Sequence, residues 1–118
     1  MKSIGIFDKF NLQNEVIVVT GAAGLLGRMH SEAILQAGGN PVLIDINQAS
    51  LDQFVSEMKI KYGEKIMGVV CDITNKDEIK LVLKQILLEH KYVTGLINNA
   101  ANDPKVGDKI DSCELTRF

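Results

Sequence analysis

Long apolar runs are missing from this chain of 118 residues. The longest fall far short of the ~20 residues a helix needs to cross a bilayer, so a membrane span is excluded. Charge of one sign is missing too, since 13 basic and 15 acidic residues leave a net charge of −2. No basic helix or base-stacking motif appears either, which removes nucleic acid and anionic membrane as expected partners. The first ten residues, with Asp8 among them, lack the apolar core of a secretory leader. Cysteine is scarce. Cys71 and Cys113 form no CxxC pair and no metal-ligand spacing, so no metal site is expected. Cys71 lies in an apolar strand pattern and reads as a small buried hydrophobe, because a reactive thiol needs an accessible, electropositive setting. Two cysteines without a framework fit a reducing, cytoplasmic location. There is no internal repeat and no low-complexity tract. The length fits one domain spanning residues 1–118. With 46% apolar and 24% charged residues, its composition is that of an ordinary globular protein.

What is present is an alternation of short β-rich runs with helical patterns, the signature of βαβ units and a parallel sheet. The first strand is expected over residues 15–19. A helix follows from the glycine turn to about Ala37, with Gly38 and Gly39 as its stop. A second strand is expected over 41–46, then a helix capped by Asn47 whose Leu51, Phe54, Val55 and Met58 share one face. Gly63 ends it. The third strand is expected over 65–71. Thr74 is expected to cap the next helix, with Asp77 at its third position and Glu78 beyond, where acids suit the helix dipole. Ile79, Val82, Leu83, Ile86 and Leu87 give that helix the clearest apolar stripe in the chain. A fourth strand is expected over 92–97. The periodicity then stops, and residues 102–118 read as an irregular tail. Right-handed crossovers give the strand order 3-2-1-4. The fold class is therefore α/β, a three-layer Rossmann-type arrangement that stops before a fifth strand. Its switch point lies between strands 1 and 4, where open α/β sheets bind ligands.

Four signals sit at successive strand ends. Thr20-Gly21-Ala22-Ala23-Gly24-Leu25-Leu26-Gly27 follows the apolar run Val16 to Val19. A buried strand, a tight glycine turn and a helix N-terminus make a pyrophosphate grip. Asp45 stands 24 residues after Gly21 and 18 after Gly27, where a carboxylate accepts both hydroxyls of an adenosine ribose and repels a 2′-phosphate. The residues after it are Ile46, Asn47 and Gln48, and Ala22 and Ala23 occupy the turn, so no cation is at hand. NAD is therefore expected over NADP. Arg28 either assists a phosphate from the first helical turn or is a solvated surface side chain. Asp72, after the third strand, can meet an adenine edge or serve as a loop acid that caps the next helix. Asn98-Asn99-Ala100-Ala101 offers small residues against which a cofactor can lie, although asparagines there are also plain turn formers.

With these residues in place, the chain resembles the N-terminal half of the short-chain dehydrogenase/reductase family across residues 12–101. The matching segments are the glycine turn, Asp45, Asp72-Ile73-Thr74 and Asn98-Asn99-Ala100-Ala101. The compact branch of that family usually reads TGxxxGxG, with a glycine where this chain has Leu25. The spacing here, TGxxGxxG, is that of the extended, sugar-nucleotide branch, whereas Asn98-Asn99-Ala100 matches the compact one. The resemblance implies that Gly21, Gly24, Leu25, Leu26 and Gly27 hold the pyrophosphate. It places Asp45 and Ile46 at the adenosine ribose, Asp72 and Ile73 at the adenine, and Asn99, Ala100 and Ala101 along the inner ribose.

The resemblance also implies catalysis by a tyrosine, a lysine four residues later and a serine. That combination is not found. Ile66 stands four residues after Tyr62 and Leu96 four after Tyr92. Ser112 lies in the tail, and His30 and His90 lie apart with no nucleophile beside them. No catalytic residue is assigned. The chain is expected to be a fragment of a longer oxidoreductase or the product of a shortened reading frame, inactive alone. The intact enzyme would be a homo-oligomer moving a hydride between NAD and a small-molecule alcohol or carbonyl, with a sugar or sugar nucleotide among the candidate substrates. Two other readings are a non-catalytic module that senses NAD or presents an interaction surface, and a piece of a methyltransferase that binds S-adenosylmethionine.

Overall fold

The computed structural model describes residues 5–101. Its elements are α1 (Ile6–Lys9), β1 (Val16–Thr20), α2 (Leu25–Gln36), β2 (Asn40–Asp45), α3 (Gln48–Tyr62), β3 (Met67–Val70), α4 (Lys76–His90) and β4 (Gly95–Ile97). All strand pairs are parallel, and the sheet runs β3-β2-β1-β4 as the crossover rule requires. Val19 lies beside Leu43 on one neighbour and Ile97 on the other.

Alternation along the strands feeds two cores. On one face Val19 and Leu43 pack with Ile34 of α2 and with Leu51, Phe54 and Met58 of α3. On the other, Val16, Val18, Val42 and Ile44 pack with Val82 and Ile86 of α4. The central strands β1 and β2 are thus covered on both sides, which is why their sequences are nearly continuous apolar runs. Each large buried side chain, such as Phe54 or Leu51, stabilises the fold by about 1.5–3 kcal/mol.

The predicted helix ends mostly stand. Asn47 caps α3 by accepting the Ser50 N–H at 3.0 Å, and Gly63 closes that helix with φ +107°. Other details differ. The short helix α1 carries no sequence signal of the kind used above. The cap of α4 is Asn75, one residue later than expected, and Asp77 therefore sits at the second helical position. Thr74 cannot serve, because its N–H and its hydroxyl both donate to Asp72 Oδ1. β3 and β4 are shorter than expected. Before β4, Tyr92 donates its hydroxyl to the Asn14 carbonyl at 2.6 Å. Thr94 completes the pairing by accepting the Val16 N–H on its own hydroxyl at 2.8 Å. The expected tail, 102–118, and Cys113 and Ser112 within it, lie outside the described residues.

Candidate functional site

The turn behind β1 uses its three glycines for three separate reasons. Gly21 adopts φ +63°, and a Cβ there would lie 3.0 Å from the Ala100 Cα. A left-handed backbone pressed against another loop leaves room for glycine alone. Gly27 is buried in the first turn of α2, where a Cβ would run into the Gly21 carbonyl and stand 2.8 Å from the Ala22 Cα. Gly24 has ordinary extended angles and is the N-cap of α2, with no side chain to occupy the helix end. The N–H groups of the first turn, at Leu25, Leu26 and Gly27, lack an intrahelical acceptor by geometry. They are left as donors, backed by the positive end of the helix dipole.

The opposite lip is held by hydrogen bonds from β1. The Thr20 hydroxyl accepts the Asn99 and Ala100 N–H groups, both at 3.1 Å. Asn99 in turn donates its side-chain amide to the Gly21 carbonyl at 3.2 Å. The two loops therefore brace one another. Thr20 was not singled out as a site residue. The signal for it is present, a hydroxyl residue just before the first glycine, but a threonine there also reads as an ordinary strand residue.

At the end of β2 the Asp45 carboxylate points back to the turn. Oδ2 accepts the Ala23 N–H at 3.0 Å, and Oδ1 accepts the Asn47 N–H at 2.9 Å. Beyond β3, Asp72 Oδ1 accepts the Thr74 N–H at 2.9 Å and the Thr74 hydroxyl at 2.6 Å. The two Thr74 bonds, the hydroxyl first, hold the Asp72 carboxyl below its ordinary value. Asp72 is thus a loop acid that braces the approach to α4, and Oδ2 takes no part in those two bonds. Cys71 is buried and free, as the strand pattern implied. Burial, then the negative charges of Glu78 and Asp72, push its thiol upward and keep it protonated.

One cleft of about 610 Å³ brings these pieces together. Its walls include Gly21, Gly24, Leu25 and Leu26 from the turn, Asp45 and Ile46 after β2, Asp72 and Ile73 after β3, and Asn99, Ala100 and Ala101 after β4. Of the expected residues only Gly27 is not on the wall; it lies beneath the turn. Leu25, where the compact branch has glycine, is 82% exposed. Asn98 faces elsewhere, into an apolar groove beside α4. Arg28 is not the fully solvated side chain of one of its two readings. Its Nε donates to the Ala23 carbonyl at 2.9 Å, its guanidinium lies 5.0 Å over the Phe54 ring, and it reaches Glu57 at 3.7 Å. It is partly buried and joins α2 to α3. Among the described residues no group of His, Cys, Asp or Glu could hold a metal, and no helix is long and apolar enough to cross a membrane.

The sequence model of the family described as short chain dehydrogenase matches residues 15–116. This chain belongs to that family. Among curated relatives, a 7alpha-hydroxysteroid dehydrogenase of Bacteroides fragilis is 26% identical over 107 residues, 90% of this chain and 41% of that protein. Among solved structures, a hydroxysteroid dehydrogenase of Escherichia coli superposes with a TM-score of 0.76 at 26% identity, covering 93% of this chain and 45% of that one. A short chain dehydrogenase/reductase of Burkholderia phymatum in complex with NAD gives 0.71 at 28% identity, covering 76% and 32%. The chain spans less than half the length of each of these three proteins. As a family member it is built on the oxidoreductase fold that uses an NAD(P) dinucleotide. Membership runs against the methyltransferase reading.

Proposed function

We propose that this chain is the NAD-holding part of a short-chain oxidoreductase that moves a hydride between the dinucleotide and an alcohol or carbonyl carbon. The observation that carries the proposal is the pairing of the glycine turn with Asp45 across one cleft whose lining, among the described residues, contains no lysine or arginine. The residues suit a dinucleotide. The turn excludes a Cβ at Gly21 and Gly27, its helix end offers free N–H donors, and a carboxylate stands where the ribose hydroxyls would come. Gly21, Gly24, Leu25, Leu26 and Gly27 would hold the pyrophosphate through the backbone. Asp45 and Ile46 would hold the adenosine ribose, Asp72 and Ile73 the adenine, and Asn99, Ala100 and Ala101 the inner ribose. When bound, the nicotinamide supplies the hydride chemistry. This chain's part is to orient it and to exclude a 2′-phosphate by charge.

An alcohol or its carbonyl as substrate is supported by the dehydrogenase relative from Bacteroides fragilis. Cytoplasmic residence belongs to the same reading and is supported by the free, buried Cys71. So does self-association of the intact protein.

Calorimetric titration of the purified chain tests the cofactor. Weak NAD binding is expected, with NADP at least about tenfold weaker, a difference of ~1.4 kcal/mol. NADP binding equal to or tighter than NAD would sink the assignment. Tight NAD binding by a monodisperse chain would favour the sensor reading, and binding of S-adenosylmethionine alone would favour the methyltransferase.

A further inference from the structure

The end of β2 does more than line the cleft. The Ile44 carbonyl accepts the Ala22 N–H at 3.0 Å, and one atom group further on Asp45 Oδ2 accepts the Ala23 N–H at 3.0 Å. Two consecutive N–H groups of the turn are thereby tied to two consecutive residues of the strand. The other oxygen of Asp45 fixes its own loop at Asn47, and its backbone carbonyl accepts the Cys71 N–H at 3.1 Å from the segment after β3. A carboxylate offers about four acceptor positions. Two are occupied by backbone N–H groups here, which leaves two, the number that a pair of ribose hydroxyls would need.

We propose that Asp45 is a positioning residue for the glycine turn: its Oδ2 bond to the Ala23 N–H sets the turn in shape before any ligand arrives and couples the ribose end of the cleft to the pyrophosphate end. The setting of the turn stands on the hydrogen bonds alone. The coupling rests on the reading of the cleft as a dinucleotide site. A consequence for cofactor choice follows. Removing the carboxylate to admit a 2′-phosphate also releases the turn, so Asp45→Ala loses NAD without gaining NADP.

Nuclear magnetic resonance on the isotope-labelled, full 118-residue chain tests each half. In the ligand-free protein, Asp45→Ala should speed amide exchange at Ala23 by about tenfold or more, with Val18 and Leu43 keeping their protection. Unchanged exchange at Ala23 in the folded variant overturns the proposal. The unmutated chain supplies a second measurement that does not depend on the variant folding. A scalar coupling across the hydrogen bond should link the Ala23 nitrogen to the Asp45 carboxyl carbon, and its absence where the Asn47 nitrogen shows one overturns the proposal. For the coupling, the probe is nicotinamide mononucleotide, which lacks the adenosine ribose. Asp45→Ala should weaken it at least about fivefold. A loss confined to NAD, with the mononucleotide unaffected, would make Asp45 a ribose acceptor only. If neither ligand binds the unmutated chain, the cofactor reading fails, while exchange and the scalar coupling still decide whether Asp45 sets the turn.

Discussion

The Thr20 hydroxyl holds both sides of the cleft through a single atom. It accepts two N–H groups from the β4 loop and has its own proton left for the Ile97 carbonyl, 3.4 Å away. Asp72 acts in a similar way on a smaller scale, since one oxygen takes both Thr74 bonds. That carboxyl has a folded pKa below its ordinary 3.8. A depressed carboxyl stabilises the fold fully above the unfolded value, and the contribution is lost as pH falls through the folded one. Asp72→Ala should therefore lower the urea midpoint at pH 7 and have progressively less effect below pH ~4. A penalty that is the same at both ends of that range would show that the carboxylate charge is not what matters. Arg28 shows why a single side chain is hard to read from sequence. Its position one residue past the last glycine says nothing of Phe54 and Glu57, which are brought to it only by the packing of α3 on α2.

At the level of elements, the start of α4 discriminates between two adjacent candidates. Asn75 Oδ1 accepts the Asp77 and Glu78 N–H groups at 3.0 and 3.2 Å, whereas Thr74 is turned back to Asp72. Asn75→Ala should cost about 1 kcal/mol in chemical denaturation, and Thr74→Ala should act mainly through the loss of the Asp72 bond. A larger cap-type loss at Thr74, with Asn75 silent, would restore the sequence-based assignment. The long helices, α3 most of all, were legible because caps and apolar spacing are local: Asn47, Gly63 and the Leu51-Phe54-Met58 stripe all fall where they were read. The outer strands were less so. Their ends depend on how far a neighbour extends, and β3 pairs only with Val42 to Asp45 while β4 meets β1 at three positions. Four successive strand ends revealed the cleft in the sequence, but the hydrogen bonds that join its lips, from Thr20 to Ala100 and from Asp45 to Ala23, cross 80 and 22 residues and leave no periodic trace.

For the whole molecule, the order β3-β2-β1-β4 puts the proposed cofactor cleft on the chain without a tyrosine followed four residues later by a lysine. Tyr62 and Tyr92 are its two tyrosines, followed four residues later by Ile66 and Leu96. The purified chain should therefore produce no reduced nicotinamide from alcohols above the buffer rate. Measurable turnover, followed by nicotinamide absorbance, would refute the assignment of this chain to cofactor holding alone. The same strand order also fixes a schedule. Chains emerge from the ribosome N-terminal end first, so the glycine turn is made early, together with β2 and Asp45. The partners of the Thr20 hydroxyl stand 79 and 80 residues downstream. During synthesis one wall of the cleft can be in place while the other is still being translated, and a nascent chain acquires the second lip only when Asn99 has emerged and reached β1.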